Sequence, residues 1–477
     1  MFDFQPIIWI TVVNLALYIK TLRFKLVSDD HTVYMNPPKH KNWLHKRWLQ
    51  ISGQGKYPSK TPTIYKDRDG KWKFAIVNTA EFEHLLALLL HTAICIAIYF
   101  AFGMNPVSFI AALLYAVNPV NNQGTIWPSG RSYVFSILFL LLAMILPLAG
   151  PVFLYCSAWY TAGFLPPLAL IGSKFWWLVL FMPVIWLLHS RKWVKAVTGK
   201  QKMECFEEDK FSLHPKKWVI AIKTFGFYLT LCIIPFRITF YHNFLQSMAG
   251  SGKERAKTIW DRYFWIGLFA LAGMVYYWST VPWNTLSWAL YAFLVTILPF
   301  CNFWRATQEI AERFCALPNV FLMYALAQVI APYSIIVTAF LIFYATRTYY
   351  TINLYKDEYF ITEMAVIEDP HAWWAWHCRA MKRWDTRSLQ EAILLWTMAL
   401  LLSPKEFKIL INLSACLRMT GNHQEAENYL KMAEENIVKG QEKQAMEIVN
   451  SHREAFQKLM DAQKNGKKIS VNFSILL

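Results

Sequence analysis

Apolar residues in this chain come in long unbroken runs, and polar residues gather between the runs instead of alternating within them. About 20 apolar residues cross a bilayer. On that measure the chain holds about eleven spans, centred on Pro6 to Leu22, Leu85 to Phe102, Val107 to Val117, Tyr133 to Leu148, Val152 to Leu165, Phe175 to Leu188, Trp218 to Pro235, Tyr263 to Trp278, Leu286 to Leu298, Val320 to Ile330 and Tyr333 to Tyr344. Runs of this length predict helices, so the expected fold class is all-α, a polytopic membrane bundle. The opening run begins MFDFQ without a basic region before it, and is expected to stay as the first span.

The connections after spans two, four, eight and ten are short (GMNP, AGP, TVPW, AP), whereas the one after span six is long and basic (SRKWVKAVTGKQK to HPKKW). Basic loops stay on the cytoplasmic side. That places the N-terminus in the cytoplasm and, with eleven spans, the tail on the periplasmic or luminal side. The first loop, Arg23 to Glu83, is basic as well (KHKNWLHKRW, KDRDGKWK) and also carries the adjacent carboxylates Asp29 and Asp30.

Beyond Tyr344 the pattern changes to that of a soluble helical tail. Residues recur there at a spacing of 34: Pro370 and Pro404, Ala380 and Ser414, Ala392 and Ala426, Ala399 and Ala433. This period, with small residues where two helices must approach, is the signature of tetratricopeptide helix-turn-helix repeats. The predicted organisation is a membrane domain over 1–348, containing the first external loop over 23–83, a linker over 349–369, two repeats over 370–440, and a capping helix and tail over 441–477. Two repeats are few to stand alone, hence the cap. A helical hairpin packed on its own chain, with no partner, is the plainer alternative.

Composition narrows the partners. The 477 residues are 56% hydrophobic and 17% charged, against about a quarter charged in soluble domains. The net charge of +17 sits in loops between apolar runs, which points to anionic lipid or phosphate-bearing substrates and not to nucleic acid. Eight cysteines (95, 156, 205, 232, 301, 315, 378 and 416) form no CxxC pair, so neither a disulfide framework nor a zinc site is indicated.

With this orientation, several polar clusters share one membrane face. They are Asp29 and Asp30; His84 and His91, two helical turns apart; NNQGTIWPSGRS with Arg131; ATQEIAERF with Glu312 and Arg313; and Arg347 after the last span. Carboxylates and guanidinium groups converging beside lipid suggest a surface reaction with an anionic leaving group.

These stretches resemble the membrane-integral glycosyltransferases of the GT-C class, specifically the transmembrane and tetratricopeptide-repeat O-mannosyltransferases and their bacterial relatives. DDHTVYMN, with His31 and ending in Asn36, is similar to the family's Asp-Asp motif. HLLALLLH is similar to its second-span pattern, with Ala87 where Asn is usual. LLYAVNPVNNQGTIWPSGRSYVFSILFLLLA is the nearest match, with Asn118 in place of the usual His; AERFCALPN keeps Glu312, Arg313, Leu317 and Pro318 but has Cys315 and Ala316 where Leu and Tyr are usual. The order of motifs covers most of the chain, and the middle, Cys156 to Asn284, matches weakly.

The resemblance implies an inverting transfer of a sugar from a polyprenyl (dolichyl or undecaprenyl) phosphate to a hydroxyl, in the bacterial inner membrane or the endoplasmic reticulum. The acceptor is expected to be Ser or Thr of a protein or protein complex held by the tail. A hydroxyl needs a base, a role suited to Asp30, with Asp29 beside it. A departing phosphate needs fixed cations, for which Arg131 and Arg313 are the candidates, joined by His84 and His91. Glu312, His31, Asn36 and Arg347 are supporting candidates. No cofactor is required, and a divalent cation is left open. The plainer alternatives are a helix-capping Asp, arginines snorkelling to the interface and histidines packed in a core. A lipid or polysaccharide acceptor is a variant of the same reading. A scaffold subunit with little or no activity, using its tail for assembly, is the reading from another class.

Overall fold

The computed structural model describes residues 4–25, 61–66, 72–77, 80–160, 165–185, 215–239, 261–302, 310–368, 370, 373–437 and 442–464. Helices dominate. The first compact unit runs to Phe360 and the second begins at Ile361.

Among the described residues of the first unit, the α-helices of five residues or more are α1 (Gln5–Tyr18), α2 (Ala80–Ala101), α3 (Pro106–Val117), α4 (Asn122–Ile126), α5 (Arg131–Ile145), α6 (Gly150–Tyr160), α7 (Pro215–Ile233), α8 (Arg262–Thr280), α9 (Thr285–Ile297), α10 (Ala316–Ile330) and α11 (Ser334–Thr351). Their starts are written in the sequence. Asn105 and Ser108 form a reciprocal capping box at α3, each side chain accepting the other's backbone N–H at 2.9 Å, and Pro106 follows. Asp261 caps α8 by accepting from the N–H groups of Tyr263 and Phe264, and Asn284 caps α9 through Ser287.

Four helical stretches are long and apolar enough to cross a membrane: Gln5–Arg23, Ala80–Ala101, Glu312–Ile330 and Ser334–Tyr355. A fifth is added if the bent pair Pro119–Ile126 and Arg131–Ile145 is one span. Each falls on one of the eleven predicted runs. Other runs form shorter apolar helices, among them Pro106–Val117 and Trp218–Ile233. The run Phe175 to Leu188 departs from the expectation: its described part contains the 3₁₀ segment Trp176–Phe181 in place of a long α-helix.

Helix α10 lies at the centre, buried from Ala316 through Ala325, and packs against α3, α5 and α9. One departure from the all-α expectation lies in the first loop. Strands β1 (Thr61–Lys66) and β2 (Trp72–Val77) pair antiparallel, with Thr61 opposite Val77 and Lys66 opposite Trp72. The segments TPTIYK and WKFAIV are rich in β-branched and aromatic residues, which suit a pleated surface.

The chain passes into the second unit along α12 (Glu358–Glu368), followed by two helical hairpins, α13 (Trp373–Asp385) with α14 (Leu389–Leu402) and α15 (Phe407–Met419) with α16 (His423–Glu435), and then α17 (Glu442–Lys464). Corresponding helices begin 34 residues apart, Trp373 with Phe407 and Leu389 with His423. The small residues Ala380, Ala392, Ala399, Ser414, Ala426 and Ala433 are all fully buried. Trp396 fills the core between α13 and α14, and its indole N–H donates to His377 Nδ1 at 3.2 Å. Arg418, buried on α15, donates to Glu427 of α16 and to the carbonyl of His452 on α17, both at 2.8 Å, so one guanidinium joins three helices.

Candidate functional site

Between α3 and α5 the chain cannot continue as one rod. Pro119 and Pro128 interrupt it, and the pieces on either side of the break at Trp127 to Gly130 meet at 106°. Irregular backbone at membrane depth must be satisfied by protein, and here side-chain amides do so. Asn118 Nδ2 donates to the Cys232 carbonyl at 2.8 Å, and Asn121 Nδ2 to that of Tyr115 at 2.7 Å. Asn122 accepts from the Tyr18 hydroxyl at 3.0 Å and donates to Thr351 Oγ1 at 2.8 Å. Gln123 Oε1 accepts from the N–H of Arg313 at 2.9 Å, and Asn319 donates to Asn121 at 3.2 Å. The run NNQ thus ties α1, α10 and α11 to one buried segment.

The candidate phosphate-binding residues gather along that segment. Arg131 begins α5 and is buried. Its Nη2 donates to Glu83 Oε2 at 2.6 Å and to the Glu83 carbonyl at 3.2 Å. The turn before it is tightly packed: a Cβ at Gly130 would stand 3.0 Å from the Gln123 carbonyl and 3.1 Å from the Trp127 ring. Arg313 lies with its guanidinium carbon 5.3 Å from the centre of the Trp127 ring, within cation–π range. His91 Nδ1 is 3.1 Å from Thr125 Oγ1, its Nε2 is 3.3 Å from the Ala116 carbonyl, and Tyr18 meets its ring edge-on at 5.1 Å. His84 Nε2 lies 3.4 Å from the carbonyl of Lys25.

The supporting residues are placed as follows. Glu312 accepts from the Thr239 N–H at 2.7 Å. Arg347 donates to the carbonyls of Pro235 and Phe236, the role of a cation capping a helix C-terminus, here just beyond α7. Asp29, Asp30, His31 and Asn36 lie outside the described residues. The described part of the first segment ends at Lys25, whose N–H donates to the Lys356 carbonyl at 3.1 Å.

Two partners escaped the sequence reading. Glu83 stands one residue before His84 at the mouth of an apolar run and reads there as a loop acid. Gln123 lies in a row of amides between apolar runs, and that row was the signal for a buried polar segment. Comparison with known protein families, with curated proteins and with solved structures finds no match.

Proposed function

We propose that this chain is a membrane-integral inverting glycosyltransferase that moves a sugar from a polyprenyl phosphate to a hydroxyl, and that its second unit is a tetratricopeptide-repeat domain serving the acceptor. The reading includes the cytoplasmic N-terminus and the count of about eleven spans. One observation carries it: Arg313, Arg131 and the helix that carries His84 and His91 come from three stretches of the chain and meet at the broken segment Asn118 to Gly130, and His84 sits against Lys25, four residues before Asp29. In the reaction the acceptor oxygen attacks the anomeric carbon while the bond from that carbon to the phosphate oxygen breaks. Asp30 takes the hydroxyl proton. The phosphate leaves with the bonding pair, its charge stabilised by the guanidinium groups.

A scaffold is the second reading, and a specific observation favours it. Arg131 is already neutralised by Glu83, with both side chains almost wholly buried. Purified protein in proteoliposomes, given labelled dolichyl- or undecaprenyl-phosphate mannose and a Ser/Thr peptide, separates the two. The transferase yields glycosylated peptide, and Asp30→Asn lowers the rate by about 100-fold or more. Absence of both turnover and donor binding in the unmodified protein overturns the transferase reading in favour of the scaffold.

A further inference from the structure

Helix α14 (LQEAILLWTMALLL) is apolar on both faces. Ala392, Leu395, Trp396 and Ala399 face the core shared with α13 and α15. On the other side Leu394 is 63% exposed, Met398 36% and Leu401 70%. Spacings of four and three place these three on one stripe. The corresponding helix of the second hairpin, α16, carries Asn428, Met432 and Glu435 at the positions 34 residues on, so two polar residues stand where α14 has leucines, nearer the polar outer face that a water-facing helix ordinarily presents. The first hairpin therefore exposes a stripe that its sister does not.

Cations stand at both ends of the stripe. Arg387 is exposed in the turn before α14, and Lys405 is exposed just beyond it. Arg387 holds φ at 62°, in the left-handed region, where the sister turn has Gly421 at 92°. A charged side chain thus occupies a backbone position that suits glycine better. The nearest acids on the two helices are engaged, Glu391 with Arg383 at 2.7 Å and Asp385 with Lys382 at 3.6 Å. The unit begins at Ile361, six residues after the apolar stretch that ends at Tyr355, so a bilayer surface is always close by along the chain.

We propose that this face of α14 rests on the head-group surface of an anionic bilayer, with Leu394, Met398 and Leu401 dipping below the phosphates and Arg387 and Lys405 pairing with them. An apolar stripe bracketed by cations suits the interface between water and anionic lipid. A second copy is the poorer occupant, because pairing the stripe with itself antiparallel sets Arg387 of one copy against Lys405 of the other, like charge on like. The inference does not draw on the sugar-transfer reading.

The test uses the full chain in lipid nanodiscs, with an environment-sensitive fluorescent amino acid at position 398. In discs containing phosphatidylglycerol, lipids brominated near the head group should quench the probe, and quenching should be weaker in phosphatidylcholine alone. Arg387→Ala with Lys405→Ala should lower the docked-to-free ratio in anionic discs by about 30-fold, since each basic residue near such a surface contributes about a factor of five. A probe that stays in water, or quenching indifferent to lipid charge, overturns the proposal. So does a blue shift in detergent that grows with protein concentration, which would assign the stripe to a second copy.

Discussion

Arg387 and Gly421, 34 residues apart, close the same turn with the same bonds. The Arg387 N–H donates to the Trp384 carbonyl and that of Ser388 to Arg383, both at 2.9 Å; the Gly421 N–H donates to Arg418 at 3.2 Å and that of Asn422 to Leu417 at 2.9 Å. Both residues have positive φ, which costs an L-residue about 1 kcal/mol or more and glycine little. Arg387→Gly should therefore stabilise the α13–α14 hairpin by about 1 kcal/mol, although it removes a proposed lipid contact. Gly421→Ala should cost about 1 kcal/mol at α15–α16, through the backbone alone, because no heavy atom lies within 4 Å of a Cβ built there. Hydrogen exchange on the full chain in detergent should show protection rising in the first hairpin for one variant and falling in the second for the other.

The Glu83–Arg131 pair makes a separate prediction. Both side chains are sealed from water. Removing one partner strands a buried charge, at a cost of about 3–5 kcal/mol, whereas replacing both with apolar residues is often neutral. Arg131→Met and Glu83→Met should each lower the unfolding midpoint in detergent markedly, and the double variant should recover most of the loss. Equal and additive losses would show that the two groups act independently. Activity measured on Arg131→Met alone therefore mixes folding with phosphate binding. Arg131→Lys keeps the charge and loses the bidentate fork, so it should fold and still bind donor poorly if the transferase reading is right.

How far the sequence led can be judged from particular residues. The turn at Gly421 and the buried alanines of the tail were legible, because helix–helix contact demands small residues at fixed spacing and left-handed turns demand glycine. The long apolar runs at Pro6, Leu85, Val320 and Tyr333 mark helices long enough to span. Arg131 and Arg313 were legible as candidate cations beside apolar runs, but neither their burial nor their partners were. Glu83 meets Arg131 across 48 residues and Gln123 meets Arg313 across 190, and no local pattern encodes contacts at such separations. The break at 106° was concealed because prolines in NPV and WPS read equally well as loop punctuation.

The pH dependence of the tail follows from Glu406, at the start of α15. Burial pushes its carboxyl above the ordinary 4.5, with the neighbouring Lys408 opposing. The folded state therefore holds the proton more strongly than the unfolded chain does. The stabilisation is complete below pH 4.5 and is lost as pH rises through the folded value. Glu406→Gln should flatten the profile, leaving the tail unchanged in acid and more stable at neutral pH. The measurement is hydrogen exchange of α15 in the full chain at pH 4 and pH 7, corrected for intrinsic rates. A variant less stable than the parent at pH 7 would contradict the assignment.

Helices α7 and α8 meet backbone to backbone at Gly226 and Gly267. A Cβ on Gly226 would run into the Tyr263 carbonyl, and one on Gly267 into that of Ile222. Small residues permit such crossings where lipid supplies no hydrophobic drive. The contact is fixed from one side by Lys223, whose ammonium lies 2.8 Å from Asp261, the acid that caps α8. Separating the helices to admit a methyl group would strain this ion pair as well as the packing. Gly226→Ala and Gly267→Ala should each cost about 3 kcal/mol, the upper part of the usual overpacking range. Gly273, also on α8, has open space where its Cβ would stand, so Gly273→Ala should be neutral or stabilise by up to about 1 kcal/mol. Thermal unfolding of the three variants in one detergent checks the contrast; comparable losses at all three positions would mean that α8 resists alanine generally and that the crossing is not the cause.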